Sequence, residues 1–278
     1  MNNMSEDYID DIPDWYQPEN YAPDQYFLDV KEEIKRLYNS DKESIYYIRQ
    51  LQVKFEKKYF HWLTYNAIES LLKEKFLVAI SKPVSEFGTP IQFLAHKSNR
   101  YPKRNVNEMA KIISAYSHEN ITKSCGHRAE DLFALALASH GFQPKKKKVN
   151  EYNNIKWTRS KHDLDYVFER DDVSYGCEIK NTLGYIDKDE LEIKLEMCKF
   201  LKIKPLFILR FAPKTYIEMI RLLKGFTMIF ECQIYELSQR DLVGQIKSIL
   251  GLPVDCPKSI PEGIITRFEN WHNKSKNL

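Results

Sequence analysis

The longest purely apolar run in this chain, residues 132–138, is seven residues, where a membrane-spanning helix needs about 20. No stretch of the sequence is therefore a candidate span. Residues 1–14 are acidic and have neither the basic start nor the apolar stretch of a secretory leader, which predicts a cytoplasmic protein. The five cysteines, Cys125, Cys177, Cys198, Cys232 and Cys256, are odd in number, widely spaced and form no C-x-x-C pair. Both a disulfide framework and a structural zinc site are disfavoured on those grounds. Lys and Arg are absent from residues 1–30, which hold eight acids, so a net charge of +3 leaves +11 on the remainder. That surplus favours a polyanionic partner such as nucleic acid.

At 278 residues, 43% of them hydrophobic, the chain has enough apolar material for two domains. Residues 1–25, rich in Asp, Pro and Tyr and without apolar periodicity, read as an extended acidic arm. Helical spacing follows at Phe27, Val30, Ile34 and Leu37, then over residues 44–57, then over 64–73 with Thr64 as the expected N-cap. Short strands over 76–80 and 91–95 flank a loop containing Pro83, Gly88 and Pro90. Three helices before a two-stranded wing resemble a winged helix-turn-helix domain, expected over residues 26–98. Residues 99–123 read as a basic linker with a helix near 107–116.

The second domain is expected over residues 124–278. Its pattern predicts helices over 126–140, 187–201, 215–223 and 241–250, and strands near 146–152, 164–170, 173–181, 205–212 and 226–235. Asp187 is placed to cap its helix, with Glu190 three residues on. The implied fold class is α/β (α+β): a mixed sheet flanked by helices, built on an α-β-β-β-α-β core.

The chemistry concentrates between His162 and Lys180. Strand alternation assigns Leu164, Tyr166, Phe168, Tyr175, Cys177 and Ile179 to a core face, leaving Asp165, Val167, Gly176, Glu178 and Lys180 on a face expected to be wet. A reversal centred between Asp171 and Asp172 sets Asp165 opposite Glu178. Opposed strand residues have Cβ atoms about 4.5 to 5.5 Å apart, where like charges repel. A hard divalent cation relieves that repulsion, and two carboxylates with a backbone carbonyl, that of Ile179, suit Mg²⁺ or Mn²⁺ better than zinc. Lys180 faces the same way, and beside a cation its pKa is expected to fall. Glu-x-Lys itself occurs four times, but only Glu178-Ile179-Lys180 lies in a strand, where positions i and i+2 share a face.

Asp165 followed by Glu178-Ile179-Lys180, with Glu130 on the preceding helix, resembles the PD-(D/E)XK nuclease superfamily over residues 126–235. Leu164 stands where that family often has proline. The resemblance implies Asp165 and Glu178 as metal ligands, Lys180 positioning the attacking water, and Glu130 as an auxiliary acid reaching the metal through water. Its activity would be Mg²⁺- or Mn²⁺-dependent hydrolysis of DNA, and cleavage of both strands would suit a homodimer. An inactive nuclease-like regulator or scaffold and an RNA-directed nuclease are the alternatives.

Further expectations concern supporting residues. Asp163 falls opposite Lys180 and is expected to pair with it. Arg210 and the run Lys145, Lys146, Lys147 and Lys148 are candidate phosphate contacts. In the winged domain, Lys54, Lys57, Lys58, Lys73 and Lys75 with Tyr65 and Asn66 are candidates to face a DNA groove. The acidic arm is expected to cover a basic surface as a mimic of nucleic acid or to recruit a partner.

Overall fold

The computed structural model describes residues 24–84 and 90–275, so the acidic arm up to residue 23 lies outside the described residues. The chain divides into two compact units: one runs to His118 and takes back Gly244–Leu252, and the other holds Glu119–Val243 and Pro253 onward. The segment expected as a linker is thus part of the first unit as far as His118.

The first unit opens with α1 (Gln25–Ser40), capped by Asp24, whose carboxylate accepts from the Tyr26 N–H at 3.3 Å. Val30, Ile34 and Tyr38 repeat every four residues and bury one stripe of it. The helix expected over 44–57 is split. Ile45–Tyr47 is strand β1, and only Ile48–Phe55 is helix α2. The β-branched and aromatic Ile-Tyr-Tyr run has stronger strand than helix preference, and pairing supplies the rest. Next come α3 (His61–Lys73), β2 (Leu77–Lys82), β3 (Ile91–His96) and α4 (Lys103–Tyr116). The strands form an antiparallel sheet ordered β1-β3-β2, so three helices precede the β2–β3 pair as expected, with β1 as a third strand that was not expected. Thr64 is not the N-cap of α3. The helix starts a turn earlier, after Phe60, and the Thr64 hydroxyl donates back to the Phe60 carbonyl at 3.4 Å, as hydroxyls inside helices do.

The second unit begins with α5 (Glu119–Ser139), followed by β4 (Gln143–Val149), the small β5 (Glu151–Tyr152) and β6 (Ile155–Lys156) pair, β7 (Leu164–Arg170) and β8 (Val173–Lys180). Then come α6 (Lys188–Leu201), β9 (Lys204–Leu209), α7 (Lys214–Leu222), β10 (Phe226–Ile229), β11 (Gln233–Ile234), the start of α8 (Arg240–Gln245), β12 (Val254–Asp255) and α9 (Glu262–Ser275), while the π-helical turn at Ile246–Leu250 belongs to the first unit. The main sheet has the order β10-β9-β8-β7-β4. β4, β7 and β8 run antiparallel, while β8, β9 and β10 run parallel with α6 and α7 as their crossovers. A mixed sheet flanked by helices on the α-β-β-β-α-β plan is what the sequence pattern predicts.

Both faces of that sheet are covered. On one, Ala129, Phe133 and Leu137 of α5 and Ile265 and Phe268 of α9 pack on Tyr166, Phe168, Tyr175, Cys177 and Ile179. On the other, Met197, Cys198 and Leu201 of α6 pack on Leu164 and Val167. The hairpin face expected to be wet is therefore largely dry. Gly176 shows how tight it is: a Cβ there would come within 2.8 Å of Cys198 Sγ, of Ile203 and of Leu164. Helix α9 has no counterpart in the sequence-based expectation.

Candidate active site

The β7–β8 hairpin turns at Asp171 and Asp172, both with positive φ (49° and 60°). That pair of left-handed residues makes the two-residue turn whose twist matches the strands, and aspartate tolerates it better than most side chains. Register then follows as the turn dictates, from Arg170 with Val173 to Tyr166 with Cys177. The next pair in sequence would be Asp165 with Glu178. Here the ladder stops, and the Ile179 N–H donates to Asp165 Oδ2 at 2.7 Å. A side chain has replaced a main-chain partner. Because the N–H and C=O of a strand residue project to the same side, the Ile179 carbonyl also faces Asp165.

Glu178 is 2% exposed. Its Oε2 accepts from Lys194 Nζ at 2.7 Å, and its Oε1 lies 3.5 Å from Lys180 Nζ. Lys180 in turn pairs with Glu190 Oε1 at 2.7 Å, and Lys194 donates its other bond to the Asp163 carbonyl. Two acids from adjacent strands thus meet two ammonium groups, one from β8 and one from α6. Burial, and then the charge of Asp165 beside it, push the Glu178 carboxyl up to about 7, with both lysines acting against the shift. Asp165 is raised as well, chiefly by burial, although the Ile179 N–H opposes it. Lys180 is raised too. Burial works to lower it, but Glu178, Glu190 and Asp165 together hold it above the ordinary lysine value.

Glu130 stands on α5 with its carboxylate 2.9 Å from Lys147 Nζ on β4. It is near enough to Asp165 to raise that acid's pKa. Among the described residues, no three His, Cys, Asp or Glu side chains gather into a metal-holding group. The acids at the hairpin end are a pair, and any further donors to a cation would be the Ile179 carbonyl, water or substrate. Oxygen donors of that number suit a hard ion that keeps several waters, so the donor chemistry fits Mg²⁺ or Mn²⁺.

Other expected contacts fare differently. Asp163 does not pair with Lys180; its carbonyl receives Lys194 instead, and Lys180 turns to Glu190. Arg210 is not a phosphate contact. It is 1% exposed, and its guanidinium donates to the Thr182 and Leu183 carbonyls at 2.8 Å each, pinning the segment that follows Lys180. Asn181 strengthens the same anchor by donating to the Cys125 and Ile234 carbonyls. On the edge strand β4, Lys145 pairs with Glu169 at 3.2 Å, Lys146 donates to the Glu151 carbonyl at 2.9 Å, and Lys148 is exposed. In the first unit, Lys54, Lys57, Lys58, Lys73 and Lys75 are exposed, while Tyr65 and Asn66 are half-buried on α3. Lys58 pairs with Glu33 at 2.9 Å.

Lys194 and Glu190 are the site residues that sequence reasoning passes over. The signal for Lys194 was present: it sits at helical spacing between Leu191 and Cys198, a lysine inside an apolar stripe. A groove of about 420 Å³ lined by Leu132, Leu135, Ala136, His140, Ile260 and Ile265 shares no residue with the acid pair.

No helix among the described residues is long and apolar enough to cross a membrane. Comparison with family models, with curated proteins and with solved structures gives no match for this chain. The resemblance to a nuclease superfamily therefore rests on residues and element order alone.

Proposed function

We propose that the second unit is a metal-dependent nuclease centre that hydrolyses phosphodiester bonds in DNA. The observation that carries the reading is the pairing of half-buried Asp165 with buried Glu178 at the end of a hairpin, with the Ile179 N–H on Asp165 and Lys180 3.5 Å from Glu178. Adjacent carboxylates with raised pKa values are costly to a fold, and such cost concentrates at functional sites. Asp165, Glu178 and the Ile179 carbonyl would hold Mg²⁺ or Mn²⁺, with Glu130 in reach through water. The bound ion would supply Lewis acidity and make water a stronger acid at neutral pH.

The chain's own groups have separable roles. Glu178 must be ionised to hold a cation, and its carboxyl is raised to about 7 without one, so metal binding should strengthen as pH rises toward 7. Lys180, held cationic by Glu178 and Glu190, serves as a hydrogen-bond donor that orients water or phosphate and offsets charge building on the reacting oxygens. The first unit would bring DNA to this centre through Tyr65, Asn66 and the nearby lysines, and a homodimer would let two centres act on two strands.

A second reading has its own observation. Lys194 and Lys180 already neutralise Glu178, which is also how an inactive, scaffolding domain would keep its acids. Nicking of supercoiled plasmid in Mg²⁺ against EDTA separates the two. Parent protein should nick only with metal, and Lys180→Ala should lose on the order of 100-fold or more. Intact plasmid with well-folded parent would favour the scaffold, and cleavage of RNA alone would move the substrate class.

A further inference from the structure

Lys194 is 4% exposed and lies among Leu191, Leu195 and Cys198 on the buried side of α6. Taking an ammonium out of water costs several kcal/mol unless it is paired and hydrogen-bonded. Both demands are met by Glu178 Oε2 at 2.7 Å and by the Asp163 carbonyl. The second oxygen of Glu178 already has Lys180 at 3.5 Å. A divalent ion held by Asp165 and Glu178 needs a Glu178 oxygen, and a cation there meets Lys194 at short range. Like charges at such separations repel strongly in a site with little water.

We infer that Lys194 is an internal competitor for the divalent cation: its ammonium neutralises Glu178 when no cation is held and gives way, retaining the Asp163 carbonyl, when one enters. The inference rests on the nuclease reading of this site and adds its regulation. The lysine keeps the acid pair folded at low metal and sets a threshold of divalent concentration below which the centre is closed. Among the described residues no ammonium is in direct contact with Asp165, which offers the first foothold for an incoming ion. Occupation of Glu178 follows as Lys194 withdraws.

The test uses the full chain at pH 8, reading Mn²⁺ binding from the loss of the free-ion spin-resonance signal and thermal unfolding with and without Mn²⁺. Parent, Lys194→Met and Lys194→Gln are compared, the last keeping a donor for the Asp163 carbonyl should the first not fold. Both variants should bind Mn²⁺ on the order of tenfold more tightly than the parent. They should also melt lower without Mn²⁺ and recover more on its addition, since binding to the folded state alone stabilises it. Binding equal to or weaker than the parent's would overturn the inference while leaving the nuclease reading in place. Failure of parent and variants alike to bind Mn²⁺ would end the nuclease reading, and this inference with it.

Discussion

At the closed end of the β7–β8 hairpin, Glu269 accepts from His140 at 2.9 Å and from Arg170 at 2.8 Å, and these bonds hold its carboxyl below the ordinary range. Beside it, His272 accepts from the Tyr175 hydroxyl at 2.7 Å and donates to Asp171 at 3.2 Å, the tautomer being set by a carboxylate that can only accept. At the open end, Asp165 and Glu178 are both raised, and Glu178 reaches about 7. The same two strands thus carry one set of polar groups in a settled network and another in conflict. A structural network places each acid against a donor. The open end sets acid beside acid as well, at a cost that Lys194 and Lys180 offset only in part.

Substitutions at the two ends should therefore move stability in opposite directions. The largest effect is expected from His272→Ala. It removes a fully buried ring that touches Phe142 and Tyr175 and leaves the Tyr175 hydroxyl without its acceptor. Cavity and lost hydrogen bond together should cost about 3 kcal/mol in denaturant unfolding. Wild-type stability in this variant would break the contrast.

Asp165→Asn should have a smaller effect of the other sign. Asparagine keeps an acceptor for the Ile179 N–H but removes the charge beside Glu178. Both acids have folded pKa values above their unfolded ones, so the folded state holds more protons between them. Ionisation then costs stability as pH rises, in the case of Glu178 from 4.5 through about 7. The variant should match the parent near pH 4 and exceed it by on the order of 1 kcal/mol at pH 8. A variant less stable than the parent at pH 8 would show that the acid pair is not in conflict.

Much of the hairpin was legible because its determinants are local. Two aspartates at a turn and period-two alternation fix which residues oppose each other, so the register came through from Arg170–Val173 to Tyr166–Cys177, while the Asp165–Glu178 pair expected next is not part of the ladder. The α-β-β-β-α-β order was also readable, since each element carries its own periodicity. What failed depends on distant contacts. Val167 and Gly176 alternate with charges and read as a solvated face, but α6 covers them. Arg210 reads as a free cation because nothing local shows that the Thr182 and Leu183 carbonyls lie against it. Ile45–Tyr47 became a strand only because β3 offers it a partner. The partner that Glu190, contributed by α6, offers Lys180 was likewise invisible in the sequence.

The most direct test of the central claim is Mn²⁺ binding at pH 8 by the full-length parent and by Asp165→Asn, followed by spin resonance. The parent should take up Mn²⁺ and the variant, folded and more stable, should bind it at least about tenfold more weakly, since even residues that only support metal ligands are worth that much. Equal uptake by the two proteins would contradict the claim.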